Sequence, residues 1–475
     1  MIDKIRKNTL WLLTSQGISI IVSLFLTLIL AKHLGPRYNG IYNYANSIVG
    51  IFAIFVDFGM STVLIRDIAR DTNLAKKYLD NIVSLKIFIG IIILLLITIT
   101  SLFVKHYTDI TLIMLFLGLY NILNGFYILF AGIFRSHNKM VYESINTTIS
   151  KILMLILGII ALYYYKSLLD YSLAFFITSL ISVIIAVFII KKRFTNFSFS
   201  INKDFWKYML KEIWPYGLSS IVVTVYFTID QVILGSIKPI TQVGYYALAR
   251  SATGVVTSII GILIGVLFPS LSLLFKKDLS AFSDLVNNSI KFMIILAVIF
   301  VVEMILNSKG YVLLIFGYKY YGSILPLQLL SITTGLIFVN ALIGNIFGAI
   351  DRQKELLLGL AISMVINIVL NFSLIPYFNA PGAAFASILT ELFIGIYSYT
   401  ILKRSYEIRL LKFLKVPVLA GIIAGFIMFY FKNLNIILIS FVGLIVYFVM
   451  LVILKEISIQ FIKESIGLGR KGENT

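Results

Sequence analysis

The feature that most constrains this chain is a succession of apolar runs, each roughly 18 to 25 residues long, separated by short polar links. A helix rises 1.5 Å per residue, so about 20 residues match the ~30 Å hydrocarbon thickness of a bilayer. In lipid every backbone N–H and C=O must find its partner inside the segment, which makes the helix the spanning form for runs of this length. Fourteen runs are expected, from 9–33 and 41–64 through to 415–431 and 434–454. Composition agrees, because only 13% of residues are charged, against the roughly 25% a soluble domain needs to cover its surface. The expected fold class is an all-α integral membrane protein of about fourteen transmembrane helices.

The net charge of +19 raises nucleic acid as a partner, but the Lys and Arg residues sit in links. No basic face carries interleaved aromatics on which bases would stack. The basic residues instead orient the chain. With the N-terminus in the cytoplasm, 28 Lys and Arg residues fall on the cytoplasmic side, from Lys4, Arg6 and Lys7 to the tail from Lys455, and 8 fall outside. That asymmetry expects both termini in the cytoplasm, an even number of spans, and a plasma or inner membrane location. The first run, Thr9 to His33, is too long for the core of a cleavable signal and lacks a small-residue cleavage site.

The chain has no cysteine, which excludes disulfides and thiolate chemistry. His33, His106 and His137 are scattered near links and indicate no metal centre. No glycine-rich phosphate loop of the G-x-x-x-x-G-K-[ST] type points to ATP, and the links leave little room for a catalytic loop or soluble enzyme domain. A transporter is expected rather than an enzyme, with no cofactor beyond a coupling Na+ or H+. A monomer is expected.

An internal repeat organises the spans. Gly40, Tyr42, Ala45, Ser47 and Gly50 open the second span with the pattern G-x-Y-x-x-A-x-S-x-x-G, and Gly244, Tyr246, Ala249, Ser251 and Gly254 open the eighth with the same pattern. Six spans separate the copies, so the halves are parallel repeats, and two lobes facing across a cavity form a transporter architecture. The expected organisation is a lobe of six helices over 1–190, a basic cytoplasmic linker over 191–212, a second six-helix lobe over 213–402, and two further helices with the tail over 403–475.

Ionisable groups inside a membrane are costly, so each is a functional candidate. Arg250 stands in the eighth span and Asn46 is its repeat partner, so one position is polar in both halves. A guanidinium there suits a phosphate or diphosphate head group, unless it only pairs with Asp230. Gln16 and Asn43 are candidate cavity-lining residues beside Asn46, and Asn121, Asn124 and Asn340 have the same standing. Asp230 in the seventh span, Asn367 and Asn371 in the eleventh and Ser387 in the twelfth lie at a common depth by helix rise. One carboxylate with amide and hydroxyl oxygens suits a monovalent cation; interhelical hydrogen bonding is the alternative. Asp57, before Phe58 and Gly59, is expected to cap a break, Glu303 is a weaker candidate, and Lys151 and Glu391 either face a watery cavity or snorkel.

The stretch LAKHLGPRYNGIYNYANSIVGIFAIFVDFGMSTVLIRDIAR from Leu30 resembles the N-terminal signature of polysaccharide-biosynthesis flippases. The stretch NIVLNFSLIPYFNAPGAAFAS from Asn367 resembles their eleventh and twelfth helices. The chain is similar to members of the multidrug/oligosaccharidyl-lipid/polysaccharide exporter superfamily, which includes O-antigen-type and lipid II-type flippases. The resemblance implies two six-helix lobes around a central cavity, alternating access, and outward movement of a polyprenyl-linked oligosaccharide drawn from the membrane lipid. It also implies a sodium site at Asp230, Asn367, Asn371 and Ser387 with the Ala383 carbonyl, a cavity arginine at Arg250, and a groove for the prenyl chain beside the last two helices. Neutral Gln16 and Asn46 depart from the arginines of lipid II flippases, and Asn379 stands where a glycine is usual. Rival readings are a cation-coupled exporter of small amphipathic compounds and, from another class, a membrane ligase or polymerase of lipid-linked glycans.

Overall fold

The computed structural model describes residues 2–104 and 109–457, the side chains of residues 2–7 and Thr9 excepted. Lys105, His106, the basic tail after Ile457, and the side chains of Lys4, Arg6 and Lys7 lie outside the described residues. Among the described residues there are thirteen α-helices and no strand. They are α1 (Ile2–Asp57), α2 (Met60–Arg70), α3 (Ala75–Phe103), α4 (Ile110–Ser136), α5 (Met140–Ile159), α6 (Leu168–Arg193), α7 (Lys203–Ile237), α8 (Ile240–Lys277), α9 (Leu279–Phe316), α10 (Ile324–Ala349), α11 (Gln353–Lys403), α12 (Leu410–Tyr430) and α13 (Ile436–Ile453). Twelve helical stretches are long and apolar enough to cross a membrane. The protein is a multi-pass membrane protein.

Two of these stretches are far longer than one crossing needs, and each is broken at a single residue. In α1 the break is Gly35 (φ 80°, ψ −177°), followed by Pro36, whose ring removes a helical donor. In α11 the break is Asn379 (φ 54°, ψ −136°). The link expected at 34–40 is therefore helical apart from Gly35, and that expected at 376–378 is helical throughout, the break falling one residue beyond it at Asn379.

Asn379 holds a backbone conformation that glycine adopts freely and a side chain adopts at a cost of order 1–3 kcal/mol. Asn379→Gly is expected to stabilise the protein by about 1 kcal/mol, glycine's greater freedom in the unfolded chain offsetting part of the relief. Asn379→Val should lower the thermal unfolding midpoint in the same detergent. Equal midpoints for the three proteins would mean that the bend is set elsewhere.

The chain divides into two compact units: unit 1 comprises Met1–Ala247 and Asn371–Asn379, and unit 2 comprises Leu248–Leu370 and Ala380–Thr475. The core of unit 1 joins Met60, Leu64, Leu79, Ile82, Phe130, Phe134, Ile190, Met209 and Ile213. Between α1 and α2 the chain turns through Phe58 (φ 42°) and Gly59 (φ 90°). This corner keys into α7: a Cβ on Gly59 would strike Tyr216, and a Cβ on Gly217 would strike the Phe58 ring.

The repeat glycines also meet in unit 1. A Cβ on Gly40 would clash with the Ile240 carbonyl, and one on Gly244 would clash with the Pro36 carbonyl. Asn39 Nδ2 donates to the Gly244 carbonyl oxygen at 3.2 Å. The two copies of the motif thus cross backbone to backbone at their opening glycine, the close approach that small residues permit in membranes.

In unit 2 the core joins Ile264, Leu271, Phe282, Ile290, Met293, Leu342, Ile346, Phe347 and Leu402. The last two helices pack on α9 through Ala420, Ala424, Tyr447 and Leu451. Tyr447 donates its hydroxyl hydrogen to the Ile295 carbonyl oxygen at 2.9 Å, which satisfies the one polar atom of a fully buried ring.

Candidate functional site

In unit 1 the polar chemistry gathers around α7. Asp230 is buried (2% exposed); one carboxylate oxygen accepts from the Gln231 backbone N–H at 2.7 Å and the other from the Tyr246 hydroxyl. Gln231 in turn accepts from Ser47 at 3.3 Å. Asn43 donates to the Asn39 carbonyl and side-chain oxygens at 2.8 and 2.9 Å. Asn46 is half-buried on α1, Gln16 is exposed on the same helix, and Asn371 is fully buried. Tyr246 and Gln231 were not singled out from the sequence, although Tyr246 belongs to the repeat motif and its position there is the signal that could have found it.

Unit 2 holds the other expected residues. Asn367 is buried and donates to Thr390 Oγ1 at 3.3 Å. Ser387 donates to the Ala383 carbonyl oxygen at 3.1 Å, one turn earlier. Arg250 is half-buried on α8. Among the described residues, no three His, Asp or Glu side chains gather into a metal-binding group. The candidate cation ligands are one carboxylate, amides, a hydroxyl and a carbonyl, the hard oxygen donors that a monovalent cation takes.

Three further groups stand inside the helices. Lys86 of α3 is fully buried; its Nζ lies 2.6 Å from Asp57 Oδ1 and donates to the Gly125 carbonyl oxygen at 2.7 Å. Asp57 also accepts from Ser61 at 2.5 Å. Its role therefore exceeds capping the break, and its ion partner was not picked out in the sequence. Lys151 of α5 lines a polar cavity of about 160 Å³ with Asn124, Tyr127, Thr147 and Ser150. Glu303 of α9 accepts from Asn307 at 2.8 Å and from Tyr311, and Tyr311 reaches Ser440 of α13 at 2.6 Å.

Unit 2 also contains a cavity of about 720 Å³ walled by α9, α10, α11 and α12. Val302, Leu306, Leu336, Ile396, Leu414 and Ile422 are among its apolar walls, and Asn340 and Glu391 interrupt them. Those two satisfy each other: Asn340 Nδ2 donates to Glu391 Oε2 at 2.7 Å and to the Glu391 carbonyl oxygen at 2.9 Å. Such a chamber can take a hydrocarbon chain and has little to offer a charged group.

The chain is similar to a candidate O-antigen transporter of Escherichia coli (strain K12), 21% identical over 394 residues, covering 82% of this chain and 94% of the relative. It is 23% identical over 502 residues to an uncharacterized membrane protein of Methanocaldococcus jannaschii, covering 98% of both. Its fold matches that of the lipid II flippase MurJ in an inward closed conformation, with a TM-score of 0.79 at 15% identity, over 94% of this chain and 99% of that one. An inward-facing multidrug resistance transporter of the MATE family matches with a TM-score of 0.66 at 15% identity, over 82% of this chain and 96% of that one. Residues 5–275 match the family model described as polysaccharide biosynthesis protein. That match spans more than half of the 475 residues, and the chain belongs to the polysaccharide biosynthesis protein family.

Proposed function

We propose that this protein is a flippase, not an enzyme, that moves a polyprenyl-(di)phosphate-linked oligosaccharide from the cytoplasmic to the outer leaflet by alternating access. The observation that carries the reading is the family match over residues 5–275, joined by likeness to the O-antigen transporter along most of both chains. The 720 Å³ apolar cavity supports it independently, because a lipid-tailed substrate needs a greasy chamber and a small polar one does not. Arg250, with Asn46, Asn43 and Gln16, is the proposed contact for the phosphate and first sugars. Asp230, Asn367, Asn371, Ser387 and the Ala383 carbonyl are the proposed ligands of a coupling Na+, with H+ as the other candidate ion.

The topology follows the same reading. Each arm of the broken helices α1 and α11 is long enough to cross once, so fourteen crossings are proposed, with both termini in the cytoplasm of a cell whose plasma or inner membrane holds the protein. Two six-helix lobes over 1–190 and 213–402, joined by the basic linker 191–212 and followed by two helices and a tail over 403–475, are the proposed moving parts. The protein acts as a monomer in this scheme.

Liposomes containing the purified protein test the reading. A fluorescent polyprenyl-diphosphate oligosaccharide is expected to cross only when protein is present, while a lipophilic drug cation stays behind. A sodium gradient that changes the rate would assign the coupling ion, and Asp230→Asn should remove that dependence. Movement of the drug alone would replace the flippase reading by the multidrug exporter, whose MATE-family likeness covers less of this chain.

A further inference from the structure

Unit 1 contains two mid-helix lysines in opposite situations, Lys86 fully buried and Lys151 half-buried. Lys86 has its counter-ion, Asp57, at 2.6 Å. Lys151 has none: among the described residues no carboxylate pairs with it and its ammonium makes no hydrogen bond. Glu143, the acid nearest to it along the helix, is held by Arg135 through bonds of 2.9 and 2.5 Å. Lys151 stands 11 residues beyond Met140, about 16 Å along the axis of α5 from its start.

The cavity that Lys151 lines lies among α4, α5 and α6. Asn124 faces it with an amide that makes no hydrogen bond among the described residues, so two amide hydrogens and three ammonium hydrogens are unspent. Tyr127 and Thr147 bond each other at 2.7 Å, and Ser150 is bonded to its own helix, which leaves hydroxyl oxygens able to accept. The Tyr120 and Phe175 rings, 5.0 Å apart and edge to face, close another side. A volume of about 160 Å³ is below the roughly 300 Å³ at which drug-sized ligands begin. It is of the order of one hydroxylated ring. Five unspent donors around one cation, with aromatic walls and spare acceptors, describe a site for an anion that also carries hydroxyls.

We propose that Lys151 and Asn124, in the cavity among α4, α5 and α6, bind the carboxylate of one acidic sugar. Resting on the flippase reading, this narrows the cargo to glycans that contain a uronic-acid-type unit.

The test is binding to the full chain in phosphatidylcholine nanodiscs, followed by saturation-transfer NMR with glucuronate, glucose and inorganic phosphate. Glucuronate is expected to bind at least about 10-fold more tightly than glucose, the worth of one charge-assisted hydrogen bond. Lys151→Gln should lose that margin. Asn124→Asp should lose it as well, by giving Lys151 an internal counter-ion, and this variant also tests the site should the first fail to fold. Glucuronate binding that is absent, or unchanged in both variants, would overturn the proposal. Phosphate binding as tightly as glucuronate, or displacement of glucuronate when phosphatidylglycerol is added to the disc, would overturn the sugar assignment in favour of a simple oxyanion or a lipid head group. Transport separates this proposal from the one beneath it. Failure to move any lipid-linked glycan sinks the flippase reading, whereas equal movement of glycans with and without the uronic acid sinks only the acidic-sugar site.

Discussion

Asp57→Ala is expected to destabilise the protein by about 3–5 kcal/mol, because it leaves the Lys86 ammonium buried with no opposing charge. Lys86 lies 11 residues beyond Ala75, about 16 Å along α3 by helix rise. Its side chain is fully buried, while that of Asp57 keeps 26% of its exposure. The asymmetry predicts an order. Lys86→Met strands the more accessible partner and should cost less, about 1–3 kcal/mol. The double variant replaces a buried pair by apolar groups and should recover most of the loss. Thermal unfolding in one detergent gives all three. A double variant less stable than Asp57→Ala would mean that the contacts, and not the charges, hold this corner.

The pair matters beyond its own energy because of where its ends are anchored. Asp57 is the last residue of α1, Lys86 belongs to α3, and the Gly125 carbonyl belongs to α4. Gly125 has no side chain, and a Cβ there would clash with Val56. The same glycine thus lets α1 approach α4 and offers Lys86 its carbonyl oxygen. One ion pair and one missing methyl group fix three helices at the turn through Phe58 and Gly59.

How much of this was legible in the sequence follows from the range of each signal. Apolar run length is local, and it marked the helices. The repeat is a comparison of two local patterns, and it marked Gly40 and Gly244, which prove to be the crossing point of two helices. The Lys86–Asp57 pair joins residues 29 apart on different helices. Its existence depends on the rotation of each helix about its axis, which no run length reports. Lys151 was ambiguous for the same reason, since only the packing of α4 and α6 decides whether a mid-helix lysine meets lipid or a cavity. The breaks were legible in place but not in length: links of several residues are expected at 34–40 and 376–378, whereas Gly35 and Asn379 each turn the chain in one residue. Of the expected site, the sequence located Asp230 on α7 but not its hydroxyl partner, because Tyr246 is one of 27 tyrosines and only its repeat position distinguishes it.

Arg250→Ala is expected to reduce transport of a polyprenyl-diphosphate oligosaccharide by about 100-fold or more, without loss of folded, inserted protein. Arg250 lies 10 residues beyond Ile240, about 15 Å along α8, and is half-buried. A guanidinium offers five N–H donors in a planar fork, which matches two phosphate oxygens at once. Two charge-assisted bonds are together worth about 3 kcal/mol, and each 1.4 kcal/mol is tenfold in rate or affinity. Arg250→Lys keeps the charge and loses the fork, so a loss nearer 10-fold is expected. Asn46→Ala, at the equivalent repeat position, removes one neutral hydrogen bond and should cost only about 5-fold. The gradient across the three variants carries the assignment. Ordinary transport by Arg250→Ala would show that the diphosphate is held elsewhere, and equal losses for Arg250→Lys and Arg250→Ala would mean that geometry, more than charge, selects the head group. Initial rates in proteoliposomes, normalised to inserted protein, separate these outcomes.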